Sequence, residues 1–109
     1  MQCSVPNHRM EQVKLYSETH YKHTIYLDHL AEKLNLSQPH LSAEFIRYFD
    51  ISPIHYLIHL RLNQACILMK DQNLQIAEIA HQVGYEDPAY FSRIFKKHKG
   101  MSPSKYRNG

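Results

Sequence analysis

A chain of 109 residues is long enough for one domain, and 43% hydrophobic residues suffice for a compact core. Only 3 glycines and 5 prolines are present, which favours helices, and no apolar run of membrane-spanning length or secretory signal is evident. The net charge of +3 is uneven, because residues 84–109 carry six basic against two acidic side chains. We therefore expect a cytoplasmic protein that has no contact with a membrane, with Cys3 and Cys66 as free thiols.

The first two predicted helices follow from apolar residues at helical spacing. Residues from about 9 to 20 form the first, with Met10 and Val13 on one face. The second spans 27–34, and positions i, i+3, i+4 and i+7 form its apolar face: Leu27, Leu30, Ala31 and Leu34. Asn35 then ends the helix, since asparagine tolerates the left-handed conformation needed there.

Two further helices are predicted between Ser37 and about residue 70. Ser37 caps the third helix, and its inner stripe is predicted from the spacing: Leu41, Phe45 and Tyr48. Ser52 caps the fourth, and Pro53 takes the first helical position, where its missing N–H costs nothing. This fourth helix is long and runs to about residue 70.

The rest of the chain repeats what precedes it. Residues 76–83 match 27–34 at an offset of 49, and Gly84 takes the place of Asn35. After the turn the offset is 50, so the second turn carries one extra residue. Asp87 caps the following helix, which Gly100 ends, and a Ser-Pro pair at 102–103 starts a short last helix.

Each copy carries the features that a helix-turn-helix unit needs. These are a small residue where the helices cross, a residue tolerant of positive φ in the turn, and apolar residues inside the second helix. The first copy supplies Ala31, Asn35, Leu41 and Phe45, and the second supplies Ala80, Gly84, Phe91 and Phe95. We predict an all-α fold of seven helices, with two helix-turn-helix units joined by a long linker helix. The predicted parts are a tail (1–8), a first unit (about 9–52), a linker helix (about 53–70) and a second unit (about 75–107).

The outward faces of the two second helices are candidate DNA-binding surfaces. Small residues beside long cations allow a helix to approach a major groove closely and to contact phosphates. In the second unit the candidates are Pro88, Ala89, Ser92, Arg93, Lys96 and Lys97, and in the first unit they are Gln38, Pro39, Ser42, Ala43 and Arg47. The alternative is that both faces are merely solvated, but Ala43 and Ile46 suit a contact face better than a solvent face.

The stretch IAEIAHQVGYEDPAYFSRIFKKHKGMSPSKYR, residues 76–107, resembles the signature of AraC-type transcription regulators. Upstream, LSQPHLSAEF and ISPIHYLIHLRLNQACILM agree with it, so the resemblance covers roughly residues 9–107. It implies two recognition helices in successive major-groove segments of double-stranded DNA, more often for activation than for repression. It also implies two partners, RNA polymerase and an effector-binding and dimerisation domain in the full-length protein.

Three features depart from the family pattern. Asp50 replaces a common glycine, so we expect a strained or differently capped helix end there. Ala43 and Ile46 replace commonly basic residues, which weakens the expected contacts of the first unit. Glu44 is expected at the edge of the inner face, where it reaches water or a nearby cation.

Other functions have weaker support in the sequence. His55 and His59 have a spacing that can chelate zinc, but no third ligand accompanies them, and a pairing of His8 with Cys3 is weaker still. No catalytic grouping or phosphate-binding loop stands out, so we expect neither an enzyme nor a cofactor. The competing hypothesis is a helical protein-interaction module that keeps the double fold without binding DNA, and the charge-poor first unit is its best support.

Overall fold

Seven α-helices and no strand make up the part of the chain that the structure, a computed structural model, describes, residues 8–109. In chain order these are α1 (His8–His20), α2 (Leu27–Lys33), α3 (Gln38–Phe49), α4 (Pro53–Leu68), α5 (Ile76–Gln82), α6 (Pro88–Lys99) and α7 (Pro103–Asn108). The predicted all-α, seven-helix fold is confirmed. The predicted tail lies outside the described residues except for His8, which begins α1, and so does the pairing of His8 with Cys3.

The chain divides into two compact units, Met1–Ile58 and His59–Gly109. The boundary falls within α4, so this helix supplies its first six residues to the first unit and the remainder to the second.

The core of the first unit lies between α1, α2 and α3. Its fully buried members are Met10, Val13, Ala31, Leu41 and Phe45, each no more than 1% exposed. The prediction that Tyr48 completes the inner stripe of α3 is wrong, because Tyr48 is 51% exposed. Phe49 packs against the core instead, with its ring 4.7 Å from that of Phe45 and beneath the Lys14 ammonium of α1. The neighbour of the last turn of α3 is therefore α1, which lies on the Phe49 side.

The second unit repeats this arrangement. Its fully buried hydrophobic side chains include Leu62 and Ala65 of α4, Ile79 and Ala80 of α5, Val83 directly after α5, and Phe91 and Phe95 of α6. The repeated tyrosine has a corresponding place in each unit, with the Tyr56 ring 5.9 Å from Phe45 and the Tyr106 ring 5.3 Å from Phe95. The repeated sequence positions thus make the same packing contacts in both units.

The two turns share one hydrogen-bonding pattern. Asn35 and Gly84 have positive φ angles of 59° and 107°. The residue after each donates its backbone N–H to the small residue of the preceding helix, Leu36 to Ala31 and Tyr85 to Ala80, both at 2.9 Å. The first turn spans 34–37 and the second 83–87, so the extra residue lies before the cap of α6, as predicted.

Side-chain caps fix where both second helices begin. The Ser37 Oγ accepts the backbone N–H of His40 at 3.2 Å, and the Asp87 Oδ1 accepts that of Ala89 at 3.0 Å. Each cap satisfies a donor that would otherwise be unpaired in the first turn. The start of each of these two helices is therefore set by its own sequence.

The two second helices also end alike. Asp50 and Gly100 both adopt the left-handed conformation, and they donate their N–H groups to the Ile46 and Lys96 carbonyls. Asp50 is therefore capped like the glycine and not differently. The expected strain at Asp50 remains, because a residue with a side chain pays a conformational cost at a φ of 61°.

Candidate nucleic-acid interface

The outward face of α6 presents all six residues predicted for it. Ala89, Arg93, Lys96 and Lys97 are exposed, and Pro88 and Ser92 are partly exposed. Phe91 and Phe95, both fully buried, hold the opposite face against the core. This packing decides which side of α6 is available to a ligand.

Three cations on this face are not neutralised within the unit. Across residues 8–109, Arg93, Lys96 and Lys97 form no ion pair with a carboxylate. Lys99 differs, because its ammonium donates to the Asn63 Oδ1 at 3.3 Å and is drawn toward α4. The unpaired cations suit an anionic polymer, since phosphates are contacted mainly by arginine and lysine.

Lys96 and Lys97 have a second role that needs no ligand. They lie in the last turn of α6, where positive side chains complement the negative end of the helix dipole. Arg93 lies a turn earlier, outside the reach of that effect, so the dipole does not account for it.

The outward face of α3 is exposed but almost uncharged. Gln38, Pro39, Ala43 and Arg47 are exposed and Ser42 is partly exposed. Ile46, which takes the place of Lys96 in the repeat, is 45% exposed. This face is therefore suited to apolar contact, with Arg47 as its one cation among the five predicted residues.

Glu44 lies at the inner edge of α3, as expected, and its side chain is only 10% exposed. Its carboxylate is 3.3 Å from the Arg9 guanidinium of α1 and 3.4 Å from the His40 imidazole. An acidic side chain beside a contact face would repel phosphates. The positive charge of Arg9 reduces that repulsion.

Tyr90 is not among the residues predicted for the outward face of α6, although it shares the exposed side of that helix. It is 46% exposed, and the Arg93 guanidinium lies over its ring, 5.7 Å from the centroid. The signal was available, because a tyrosine three residues before an arginine lies on the same side of a helix.

Tyr90 packs against Tyr85, the buried residue that follows Gly84 in the second turn. The two rings are 5.9 Å apart, and Tyr85 is only 7% exposed. Burial raises the pKa of the Tyr85 hydroxyl, and the charge of Arg61, whose guanidinium lies 4.9 Å from the ring centroid, opposes that rise. The Arg61 guanidinium lies near enough to this hydroxyl to lower its pKa, but among the described residues the hydroxyl makes no hydrogen bond of good geometry.

The histidine pair considered for zinc has other neighbours. The His55 Nδ1 lies 2.8 Å from the Ser52 Oγ, and the His59 ring lies 6.0 Å from that of His98. Within residues 8–109 no three histidine, cysteine or acidic side chains come together as a metal site would require. In the same range no helix has the length and apolar character that crossing a bilayer demands.

Two helix-turn-helix units, each with its second helix exposed on the outward side, define the class of this protein as a double helix-turn-helix protein. A family model described as a helix-turn-helix domain matches residues 30–109, most of the chain. The chain belongs to the AraC-type helix-turn-helix family of transcription regulators.

Two relatives illustrate the family. The uncharacterised transcriptional regulator YdiP of Escherichia coli is 35% identical over 98 residues, which is 90% of this chain and 32% of the relative. The lactose operon transcription activator of Staphylococcus xylosus is 32% identical over 108 residues, which is 99% of this chain and 39% of the relative. The chain thus spans about a third of the length of these relatives.

A solved structure agrees with the assignment. The C-terminal domain of AraT, a response regulator of Geobacillus stearothermophilus, matches with a TM-score of 0.87 and 36% identity. The match covers 96% of this chain and 88% of that domain.

Proposed function

We propose that this chain binds double-stranded DNA sequence-specifically, as the DNA-binding domain of a bacterial transcription regulator, with α3 and α6 in successive major-groove segments. The observation that carries the proposal is the outward face of α6. Its three cations have no carboxylate partner in the described range, and they lie beside the small side chains of Ala89 and Ser92. A helix with this surface can approach base edges while its cations hold phosphates.

The two recognition helices contribute differently. Arg93 is our candidate for a base or phosphate contact, and Lys96 and Lys97 hold the backbone. On α3, Arg47 contacts phosphate, while Ala43 and the exposed Ile46 suit thymine methyl groups. The second unit therefore anchors the domain and the first adds apolar contact.

We also propose that the regulator acts in the cytoplasm and activates transcription. The name of the Staphylococcus xylosus relative, a transcription activator, supports activation. The partners that the family resemblance implies are RNA polymerase and an effector-binding and dimerisation domain. The relatives' greater length is consistent with such a further domain.

A salt titration distinguishes DNA binding from the competing hypothesis of a protein-interaction module. The 109-residue chain is titrated with a duplex of random sequence, and the affinity is measured from low to physiological salt. We expect the logarithm of the affinity to fall with the logarithm of the salt concentration, with a slope of about −0.9 per phosphate contact.

Lys96→Ala and Lys97→Ala should each reduce that slope by about one contact. Lys33→Ala is the matched control, because it removes the same charge from an exposed position on α2, outside both proposed faces. An affinity that does not change with salt, or equal effects of all three variants, would count against the proposal.

A further inference from the structure

Four side chains of the second unit form a continuous row of cation–π and ring contacts, called the stack below, which ends at the proposed DNA-binding face; its two tyrosine rings are tilted by 53° to each other. The Arg61 guanidinium lies over the Tyr85 ring, the Tyr85 ring packs against Tyr90, and the Arg93 guanidinium lies over Tyr90. Tyr85 is also fixed from the side by Phe91, with the ring centroids 5.6 Å apart. The buried Tyr85 ring therefore anchors the stack in the core, and the Arg93 end of the stack is exposed.

A stacked guanidinium is more restricted than a free one. An exposed arginine samples many rotamers and loses that freedom when it binds. The face of an aromatic ring attracts the guanidinium and orients its plane, which a lysine ammonium would not gain to the same degree. The contact with the buried Tyr85 ring favours the orientation in which Tyr90 lies beneath the guanidinium.

We propose that Tyr90 is a positioning residue, which holds the Arg93 guanidinium ready for the two acceptors of a guanine edge in the major groove. The proposal rests on the proposed DNA binding and deepens it, since it names the residue pair and the base. Guanine offers O6 and N7 together, and a planar guanidinium matches both at once.

The first unit lacks this device. At the offset of 50, His40 takes the place of Tyr90 and Ala43 takes the place of Arg93. His40 is paired instead with Glu44. A guanine preference set by this pair therefore belongs to the second unit alone, at one position of the binding site.

The test needs a DNA sequence that the chain prefers. Duplexes that contain a randomised segment of roughly 20 base pairs, about two helical turns, are selected with the unmodified 109-residue chain. The preferred duplex and a scrambled version are then the two probes. If the unmodified chain does not prefer the selected duplex, the proposed function fails before the positioning role is tested.

Five variants of the intact chain are compared on both probes: Tyr90→Phe, Tyr90→Leu, Tyr90→Gln, Arg93→Ala and the double variant Tyr90→Leu/Arg93→Ala. Phenylalanine keeps the ring, and the two non-aromatic replacements differ in polarity, so at least one should fold normally. Tyr48→Leu is the control, since Tyr48 is a similarly exposed tyrosine on α3 outside the proposed face.

Tyr90→Leu and Tyr90→Gln should weaken binding to the selected duplex about 2- to 5-fold, whereas Tyr90→Phe should bind as tightly as the unmodified chain. Arg93→Ala should weaken it about 5- to 150-fold. The double variant should bind no more weakly than Arg93→Ala, and repeated selection with Tyr90→Leu should show a relaxed preference for one guanine.

Three results would overturn the positioning role. The losses from Tyr90→Leu and Arg93→Ala could multiply in the double variant, which would make Tyr90 an independent contact. Tyr90→Phe could be as weak as Tyr90→Leu, which would assign the effect to the hydroxyl. Finally, Tyr90→Leu could weaken both probes equally, as loss of a phosphate contact or of folded protein would.

Discussion

Arg93 and Ser42 lie on the corresponding outward faces of α6 and α3, but we expect them to contribute differently to the free energy of DNA binding. Arg93→Ala should cost about 1–3 kcal/mol of specific binding if the guanidinium contacts a base. Ser42→Ala should cost no more than about 0.5–1.5 kcal/mol, because it removes at most one neutral hydrogen bond. Both losses are measured as dissociation constants on one preferred duplex at fixed salt. If Ser42→Ala weakened binding more than Arg93→Ala, the assignment of the anchor to the second unit would be wrong.

Removal of the Tyr85 hydroxyl should stabilise the folded protein. It is buried and makes no hydrogen bond of good geometry within the described range, although the Arg61 guanidinium lies nearby, and an unsatisfied buried group costs about 1–3 kcal/mol. Tyr85→Phe should therefore raise the free energy of unfolding in urea, by about 1 kcal/mol. Tyr90→Phe is the control and should change it by less than about 0.5 kcal/mol, since Tyr90 is exposed. A lower stability of Tyr85→Phe would show that its hydroxyl has a partner in solution.

At single residues, helical periodicity predicted which side of α6 faces outward, because Phe91 and Phe95 fix the rotation of the helix. It failed at Tyr48, since the core beyond Phe45 is shaped by α1 and not by α3 alone. The partners of Glu44 and the stack on Tyr90 depend on rotamers and on tertiary neighbours. A pattern of residue types does not contain that information.

The ends of α3 and α6 form a natural matched pair. Asp50 and Gly100 have the same left-handed cap, and a Cβ added at Gly100 would meet nothing within 4 Å. The difference between them is therefore conformational. Asp50→Gly should stabilise the protein by about 0.5–1 kcal/mol, and Gly100→Asp should destabilise it by a similar amount.

Urea unfolding of both variants beside the unmodified chain measures this difference. A loss of stability in Asp50→Gly would mean that the Asp50 side chain makes a stabilising contact that outweighs its strain.

At the scale of helices, the sequence predicted most of the architecture. Capping serines, Asp87 and the Ser-Pro pairs set where helices begin, and residues tolerant of positive φ set where they end. The extra residue of the second turn followed from the change of offset alone. These signals are local, so they need no knowledge of the tertiary neighbours.

For the whole molecule, we propose that the repeat increases the number of DNA contacts that one chain can make. A lone helix-turn-helix buries little core and contacts few bases. A second copy in the same chain adds contacts without the entropy cost of associating two molecules. The copies can then diverge, so that one presents Arg93, Lys96 and Lys97 and the other presents Ala43 and Arg47.

The measurement that tests this account most directly is a hydroxyl-radical footprint of one molecule on its preferred duplex. We expect an asymmetric site with two protected segments about one helical turn apart, roughly 34 Å, and the Lys96→Ala/Lys97→Ala variant should lose protection mainly at one of them. Protection of a single groove segment, or of a perfect palindrome by one molecule, would contradict the claim that two unequal units read DNA together.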